Sequence, residues 1–154
     1  MSKESVKSSR TRRQRGYAWE DTLVKRLRDN GWKAFRLGSP SIGLPDIIAT
    51  KNDTIIAIEA KSGTTNRLKV EKDQIVRCLR WLDAFAIYPN RYAILAFKFS
   101  IKKWKGVDDY KRREKREYIK LLNNDIEPCN VICKYDGTIM NDKKQDIILH
   151  DYII

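Results

Sequence analysis

The chain has 154 residues, of which 32 are Lys or Arg and 20 are Asp or Glu, so its formal net charge at neutral pH is +12. A hydrophobic fraction of 42% suffices for one domain with a small appendage, and no apolar run approaches the roughly 18 residues of a membrane-spanning helix. This excess of positive charge predicts a polyanionic partner, most commonly nucleic acid, with a membrane surface or an acidic protein as less common alternatives.

The few cysteines and the single histidine exclude several kinds of chemistry. A Ser-His-Asp or Cys-His mechanism would have to use His150, near the C-terminus, and no nucleophile motif precedes it. Cys129 and Cys133 have a C-x-x-x-C spacing, but a zinc site needs four well-placed ligands, usually at tighter spacing, and the sequence offers only one histidine. The N-terminus carries no apolar signal segment, so we expect reduced thiols in a cytoplasmic, nucleoid-associated protein.

Residues 1–16 form a basic, serine-rich segment without apolar periodicity. We expect a flexible arm that becomes ordered only on a partner, with a solvated tail as the alternative. The DNA-binding candidates in it are Arg10, Arg12, Arg13 and Arg15.

A helix is predicted from Ala18 to Asn30, where Leu23, Val24 and Leu27 fall on one stripe and Gly31 ends the pattern. Glu20 lies on the same stripe. A carboxylate on the core side of a helix is costly unless it is paired. The alternative is that Glu20 sits at the edge of the stripe and reaches water or stabilises the helix N-terminus.

The next segments predict a short strand over 33–37, a Gly- and Pro-rich loop over 38–45, and a β-hairpin. The two strands of the hairpin cover 46–50 and 54–61, and both are rich in β-branched residues. Asn52 and Asp53 supply the turn.

The remainder of the sequence predicts a second helix from Val70 to Phe85 and a strand over 91–99. It also predicts a third, basic helix over 109–123 and short strands over 130–135, 138–140 and 146–154. Ile75, Cys78, Leu79 and Leu82 would form the buried face of the 70–85 helix, with Gln74 at its border. The order α-β-β-β-α-β predicts a mixed sheet flanked by helices.

The hairpin brings three polar residues together. With the turn centred between Asn52 and Asp53, paired residues have numbers that sum to 105, so Asp46 faces Glu59. Strand alternation then places Lys61 on the face of Glu59.

The surroundings of these residues are apolar, so two facing carboxylates would repel each other strongly. A divalent cation removes this conflict, and Mg²⁺ prefers a few carboxylates together with water and phosphate oxygens. Two acids and a lysine beside a phosphodiester predict metal-dependent hydrolysis. The alternative is a structural ion cluster in which Lys61 neutralises the pair.

These motifs resemble the PD…(D/E)-x-K pattern of restriction-endonuclease-like nucleases, here Pro45-Asp46 and Glu59-Ala60-Lys61. Over residues 15–104 the chain is similar to the archaeal Holliday junction resolvases. The segments that carry the wider similarity are Arg15-Gly-Tyr-Ala-Trp-Glu20, Phe35-Arg-Leu-Gly-Ser39, Pro45-Asp-Ile-Ile-Ala49, Ile58-Glu-Ala-Lys-Ser62, Lys72-Asp-Gln74 and Ala93-Ile-Leu-Ala-Phe97.

The resemblance implies a restriction-endonuclease-like α/β fold and a homodimer that cuts four-way DNA junctions with Mg²⁺, for which Mn²⁺ can substitute. It implies that Asp46 and Glu59 bind metal, that Lys61 acts on the attacking water and that Glu20 completes the metal site. It also implies a loop serine near the scissile phosphate, Ser39 or alternatively Ser41. The DNA contacts expected from it are Arg15, Arg36, Ser41 and Gln74.

One departure is Asp21, where these enzymes commonly carry arginine, which removes one expected DNA contact. We expect a nuclease core over 17–104 and, packed on it, an α+β extension over 105–154. The alternatives are another restriction or repair endonuclease of this fold, with the extension setting its target, and a basic DNA-binding module that does not cleave.

Overall fold

The computed structural model describes residues 3–37, 43–105, 110–122 and 125–154, and within these ranges the side chains of 16–37, 43–102, 113–122 and 125–154. The elements are α1 (Lys3–Asp29), β1 (Lys33–Arg36), β2 (Ile47–Lys51), β3 (Thr54–Gly63), β4 (Arg67–Val70), α2 (Lys72–Asp83), β5 (Asn90–Lys105), β6 (Tyr110–Leu122), β7 (Val131–Lys134), β8 (Ile139–Asn141) and β9 (His150–Asp151).

The main sheet has six strands in the order β1-β2-β3-β5-β6-β9. Strands β3 and β5 are parallel, and every other neighbouring pair is antiparallel. The prediction of a mixed sheet flanked by helices is therefore confirmed. Strands β4, β7 and β8 form a second, antiparallel sheet.

Each face of the main sheet buries its own apolar cluster. On one face Trp19 and Leu23 of α1 pack against Ile58 and Ile94. On the other, Cys78 of α2 packs with Ala57 and Leu95. Since successive strand residues point to opposite faces, even-numbered residues of β3 face α1 and odd-numbered residues face α2.

Helix α1 begins at Lys3, not at Ala18, so the backbone of the segment predicted as an arm is helical. Once a helix is anchored on a core, each added residue gains one hydrogen bond without a new nucleation cost. The segment has no proline to stop this propagation. Helix α1 is too polar to cross a membrane, and neither helix of the described ranges is long and apolar enough to do so.

The prediction of a helix over 109–123 is wrong, because residues 110–122 form strand β6, which pairs with β5 from Ala93 to Lys105. Ile119 and Leu121 pack into the α1-side cluster, whereas Tyr118 and Leu122 pack into the α2-side cluster. This alternation is visible only in the last few residues. The charged residues before them have no apolar period, so pairing with β5 decides the structure.

In the part of the chain between α1 and β5, the element boundaries also differ from the predicted ones. Strand β3 continues to Gly63 and β4 covers Arg67–Val70, where the sequence predicted a loop and the start of a helix. Helix α2 therefore starts at Lys72. Its buried residues include Ile75, Cys78 and Leu82, as predicted.

Candidate active site

The β2–β3 hairpin has the predicted register. Asn52 adopts a φ of 51°, which a tight two-residue turn requires. The pairs run from Lys51↔Thr54 to Ile47↔Ile58, and each sums to 105. Asp46 comes directly before β2 and continues this alternation, which places it with Glu59 and Lys61 toward α2.

Glu59 is the only charged residue that is fully buried in the described part of the chain, with 1% of its surface exposed. The Cys78 thiol of α2 donates a hydrogen bond to Glu59 Oε1 at 3.5 Å. Glu59 Oε2 is buried and has no hydrogen-bond partner among the described residues. Burial, followed by the nearby Asp46 carboxylate, raises the pKa of Glu59 to about 8.

Asp46 is held at the entrance to β2 by backbone contacts. Its Oδ2 accepts a hydrogen bond from the Ala60 amide at 2.9 Å, and its own amide donates to the Ile58 carbonyl at 3.1 Å. The Lys61 ammonium lies close enough to oppose the rise in pKa of both Glu59 and Glu20. Two carboxylates and one ammonium group therefore converge at this point.

Glu20 reaches the same site from α1. Its side chain is only 15% exposed, so the alternative in which it bends out to water does not describe the structure. Burial, followed by the Asp46 charge, raises the pKa of Glu20 to about 7. Arg36 partly offsets this at 4.0 Å and also lies 3.7 Å from Asp21. Asp21, which stands where the similar enzymes commonly carry arginine, therefore shares the Arg36 guanidinium with Glu20.

The other predicted site residues are Arg36, Gln74, two loop serines and four arginines of α1. Arg36 stacks over the Tyr17 ring at 4.7 Å, beside Glu20. Gln74 uses its side-chain oxygen to accept a hydrogen bond from the Glu71 amide at the start of α2. Ser39 and Ser41 lie outside the described residues. The backbone of Arg10, Arg12, Arg13 and Arg15 belongs to α1, and their side chains lie outside the described part.

The carboxylates of this site are donors of the kind that divalent cations prefer. In the described ranges no three or more Asp, Glu, His or Cys residues form a group that could hold a metal. Mg²⁺ nevertheless needs only one or two protein carboxylates when water and phosphate oxygens complete its shell. The unpartnered Glu59 Oε2 beside Asp46 fits such a site, and Glu20 as a third ligand stays a prediction.

The contact between Cys78 and Glu59 was missed by sequence reasoning. The sequence marks Cys78 only as one of several residues on the buried stripe of a helix. Its role as a donor to the carboxylate depends on how α2 packs across β3 and β5, which no local pattern encodes. The three cysteines are free thiols, as expected.

Comparison with known proteins gives consistent matches. A family model described as archaeal Holliday junction resolvase (Hjc) matches residues 11–128. A crossover junction endodeoxyribonuclease Hje of Sulfolobus acidocaldarius is 34% identical over 115 residues, 72% of this chain and 79% of that protein. A crossover junction endodeoxyribonuclease of Sulfolobus islandicus rod-shaped virus 1 is 38% identical over 95 residues, 54% of this chain and 78% of that protein.

Among solved structures, the Holliday junction resolvase Hjc of Archaeoglobus fulgidus is similar, with 26% identity and a TM-score of 0.46. The similar region covers 53% of this chain and 66% of that one. The family match extends past residue 104 to residue 128, so it includes strand β6.

Proposed function

The chain belongs to the archaeal Holliday junction resolvase family, and from this premise we propose that it is a metal-dependent DNA endonuclease that cleaves four-way junctions. The observation that carries the proposal is the buried Glu59 carboxylate, which lies beside Asp46 and Lys61 and has one oxygen without a hydrogen-bond partner in the described part of the chain. In a purely structural ion cluster, buried carboxylate oxygens are expected to have hydrogen-bond donors.

Asp46 and Glu59 are the residues that would hold Mg²⁺, or Mn²⁺ in its place. When bound, the cation would offset negative charge on the phosphate and polarise a water. As an ammonium group, Lys61 would orient the attacking water or stabilise the charge that develops on phosphate oxygens; only its neutral amine could deprotonate the water. Glu20 supplies a further carboxylate next to Asp46, and Ser39 stays our candidate for the serine near the scissile phosphate.

A homodimer is part of the proposal, because resolving a junction requires two cuts and each chain holds one such cluster. Two copies related by twofold symmetry would place two sites at a fixed separation, which allows recognition of DNA shape without reading sequence. Analytical ultracentrifugation of the protein, alone and with a four-way junction, measures this state. A monomer in both samples would contradict it.

Incubation with Mg²⁺ and a panel of labelled DNAs tests the substrate. The panel comprises a four-way junction, a flap, a fork, a linear duplex and a single strand. Symmetric paired cuts in the junction alone are expected. Cuts at one sequence in linear duplex would instead identify a restriction-type enzyme. Binding without cuts in either Mg²⁺ or Mn²⁺ would leave only a DNA-binding module.

Asp46→Asn should abolish junction cleavage and leave junction affinity nearly unchanged, because a metal ligand is lost while the basic contacts remain. Cleavage is followed on denaturing gels, and affinity by fluorescence anisotropy without divalent cations. Asp53→Asn is the matched control, since Asp53 is exposed in the turn of the same hairpin. Equal cleavage by the two variants would refute the assignment of Asp46.

A further inference from the structure

A cleft of about 280 Å³ opens on the α1 face of the main sheet, next to the end of β3. Trp19 forms part of its wall, and the Lys98 ammonium lies 5.3 Å from the Trp19 ring. We call it the basic cleft; its residues that can bind an anion are Ser62, Lys98, Ser100, Arg113 and Lys115.

The basic cleft carries more cations than acids. In the described part of the chain none of Lys98, Arg113 and Lys115 forms an ion pair, and no acidic side chain lines the cleft. Glu117 lies directly opposite Lys98 on β6, but both of its carboxylate oxygens are bound by the Arg26 guanidinium, at 2.6 and 2.9 Å. Three cations beside one carboxylate that Arg26 already binds repel one another, and an anion between them reduces that repulsion.

The basic cleft and the candidate active site follow one another along β3, on opposite faces of the strand. Strand β2 pairs with β3 only as far as Ile58, so no strand of the described ranges covers the β2-side edge of β3 beyond it. Lys61 faces α2 and the next residue, Ser62, faces α1, a step of roughly 3.3 Å along the strand. Ser62 is paired in register with Lys98 of β5.

We propose that the basic cleft binds the phosphate backbone of the cleaved DNA strand on one side of the scissile bond. This inference rests on the proposed function and adds a second contact surface to it. A backbone that crosses the open edge of β3 meets Lys61 on one face and Ser62 with Lys98 on the other. Lysine, arginine and serine contacts to phosphate fix the register of DNA without reading its sequence.

The test is a triple variant, Lys98→Gln with Arg113→Gln and Lys115→Gln. Its matched control, Lys33→Gln with Arg67→Gln and Lys143→Gln, removes the same charge from exposed positions elsewhere. Junction affinity is measured over a range of salt concentrations without divalent cations. The cleft variant should bind more weakly, with a log–log salt slope shallower by roughly 2 to 3 because each lost phosphate contact contributes about 0.9. The control should keep a slope near that of the wild type.

Location is tested by a junction in which neutral methylphosphonates replace the phosphates on one side of the cut. When the modified phosphates are those that contact the basic cleft, the junction affinity of the wild type and of the control should fall. The cleft variant should lose little further affinity. Equal losses in all three proteins, or equal affinity of the cleft variant and the control, would overturn the inference. A wild type that neither binds nor cuts any branched DNA would instead refute the proposed function.

Discussion

At the scale of single residues, Glu59 occupies an energetically costly position. It is 1% exposed, and among the described residues only the thiol of Cys78 donates to it, at Oε1. The nearby Asp46 charge increases the cost of ionising it. Such a carboxylate destabilises the metal-free protein, and we interpret the cost as the consequence of keeping an oxygen available to a cation.

Glu59→Gln should therefore abolish cleavage and at the same time stabilise the metal-free protein by about 1–3 kcal/mol, the usual cost of one unsatisfied buried group. The amide keeps the shape of the side chain, removes the charge and can donate toward Asp46. Chemical denaturation in EDTA measures the free energy of unfolding. Glu127→Gln, at an exposed position, serves as the control. A loss of stability in Glu59→Gln would contradict the argument.

The raised pKa of Glu59 predicts how the free energy of unfolding depends on pH. Folding raises the pKa of Glu59 to about 8 and that of Glu20 to about 7, so between pH 5 and pH 8 (roughly) the folded state binds more protons than the unfolded state. The free energy of unfolding of the metal-free protein should then fall as the pH rises through this window. In Glu59→Gln the fall should be shallower, with the remainder due to Glu20. Stability that rises with pH over this range would show that the two carboxylates are not buried as described.

At the scale of elements, α2 links the core to the site. It carries Cys78 against Glu59, and its N-terminus is capped by Gln74, whose side chain accepts from the Glu71 amide. The Lys72 amide donates to Asn130 Oδ1 at 2.7 Å, which ties the start of α2 to the segment before β7. The capping bond uses the Gln74 oxygen, and the NH₂ group of the same side chain has two further donors.

Gln74→Ala should lower the free energy of unfolding by about 0.5–1 kcal/mol through loss of the cap. Gln74→Glu keeps a capping oxygen and should retain stability. If the amide contacts DNA, Gln74→Glu should still weaken junction binding, because a donor is replaced by a negative charge. Thermal denaturation and fluorescence anisotropy separate the two effects. Wild-type affinity in Gln74→Glu would restrict Gln74 to its role in the helix.

Elements differ in how far the sequence predicts them, for physical reasons. The β2–β3 hairpin could be predicted down to its register, because a two-residue turn at Asn52 and Asp53 fixes every pair that follows. Strand β6 could not, since its charged residues suit a helix as well as a strand and only its long-range pairing with β5 distinguishes them. The same limit applies to Glu20, whose odd position was visible but whose partners belong to other elements.

At the scale of the whole molecule, positive charge is in large excess. The net charge of +12 already counts every Asp and Glu, so ion pairs within the chain, among them Arg26–Glu117 and Lys120–Asp151, do not reduce it. Basic residues are concentrated in two segments of the sequence, 3–15 within α1 and 102–116 across the end of β5 and the start of β6. We expect both segments to contact the duplex arms of a branched substrate.

This distribution predicts a steep dependence of activity on salt. Phosphate contacts release condensed counterions, so a protein that makes 6–10 of them loses roughly 10³–10⁵ in affinity between about 50 and 200 mM salt. At subsaturating protein concentrations, junction cleavage should fall nearly in parallel with affinity over this range. Thermal denaturation at each salt concentration shows whether the protein stays folded, so that the loss can be assigned to binding. Cleavage that stays constant while the protein remains folded would mean that the excess charge does not contact the DNA backbone.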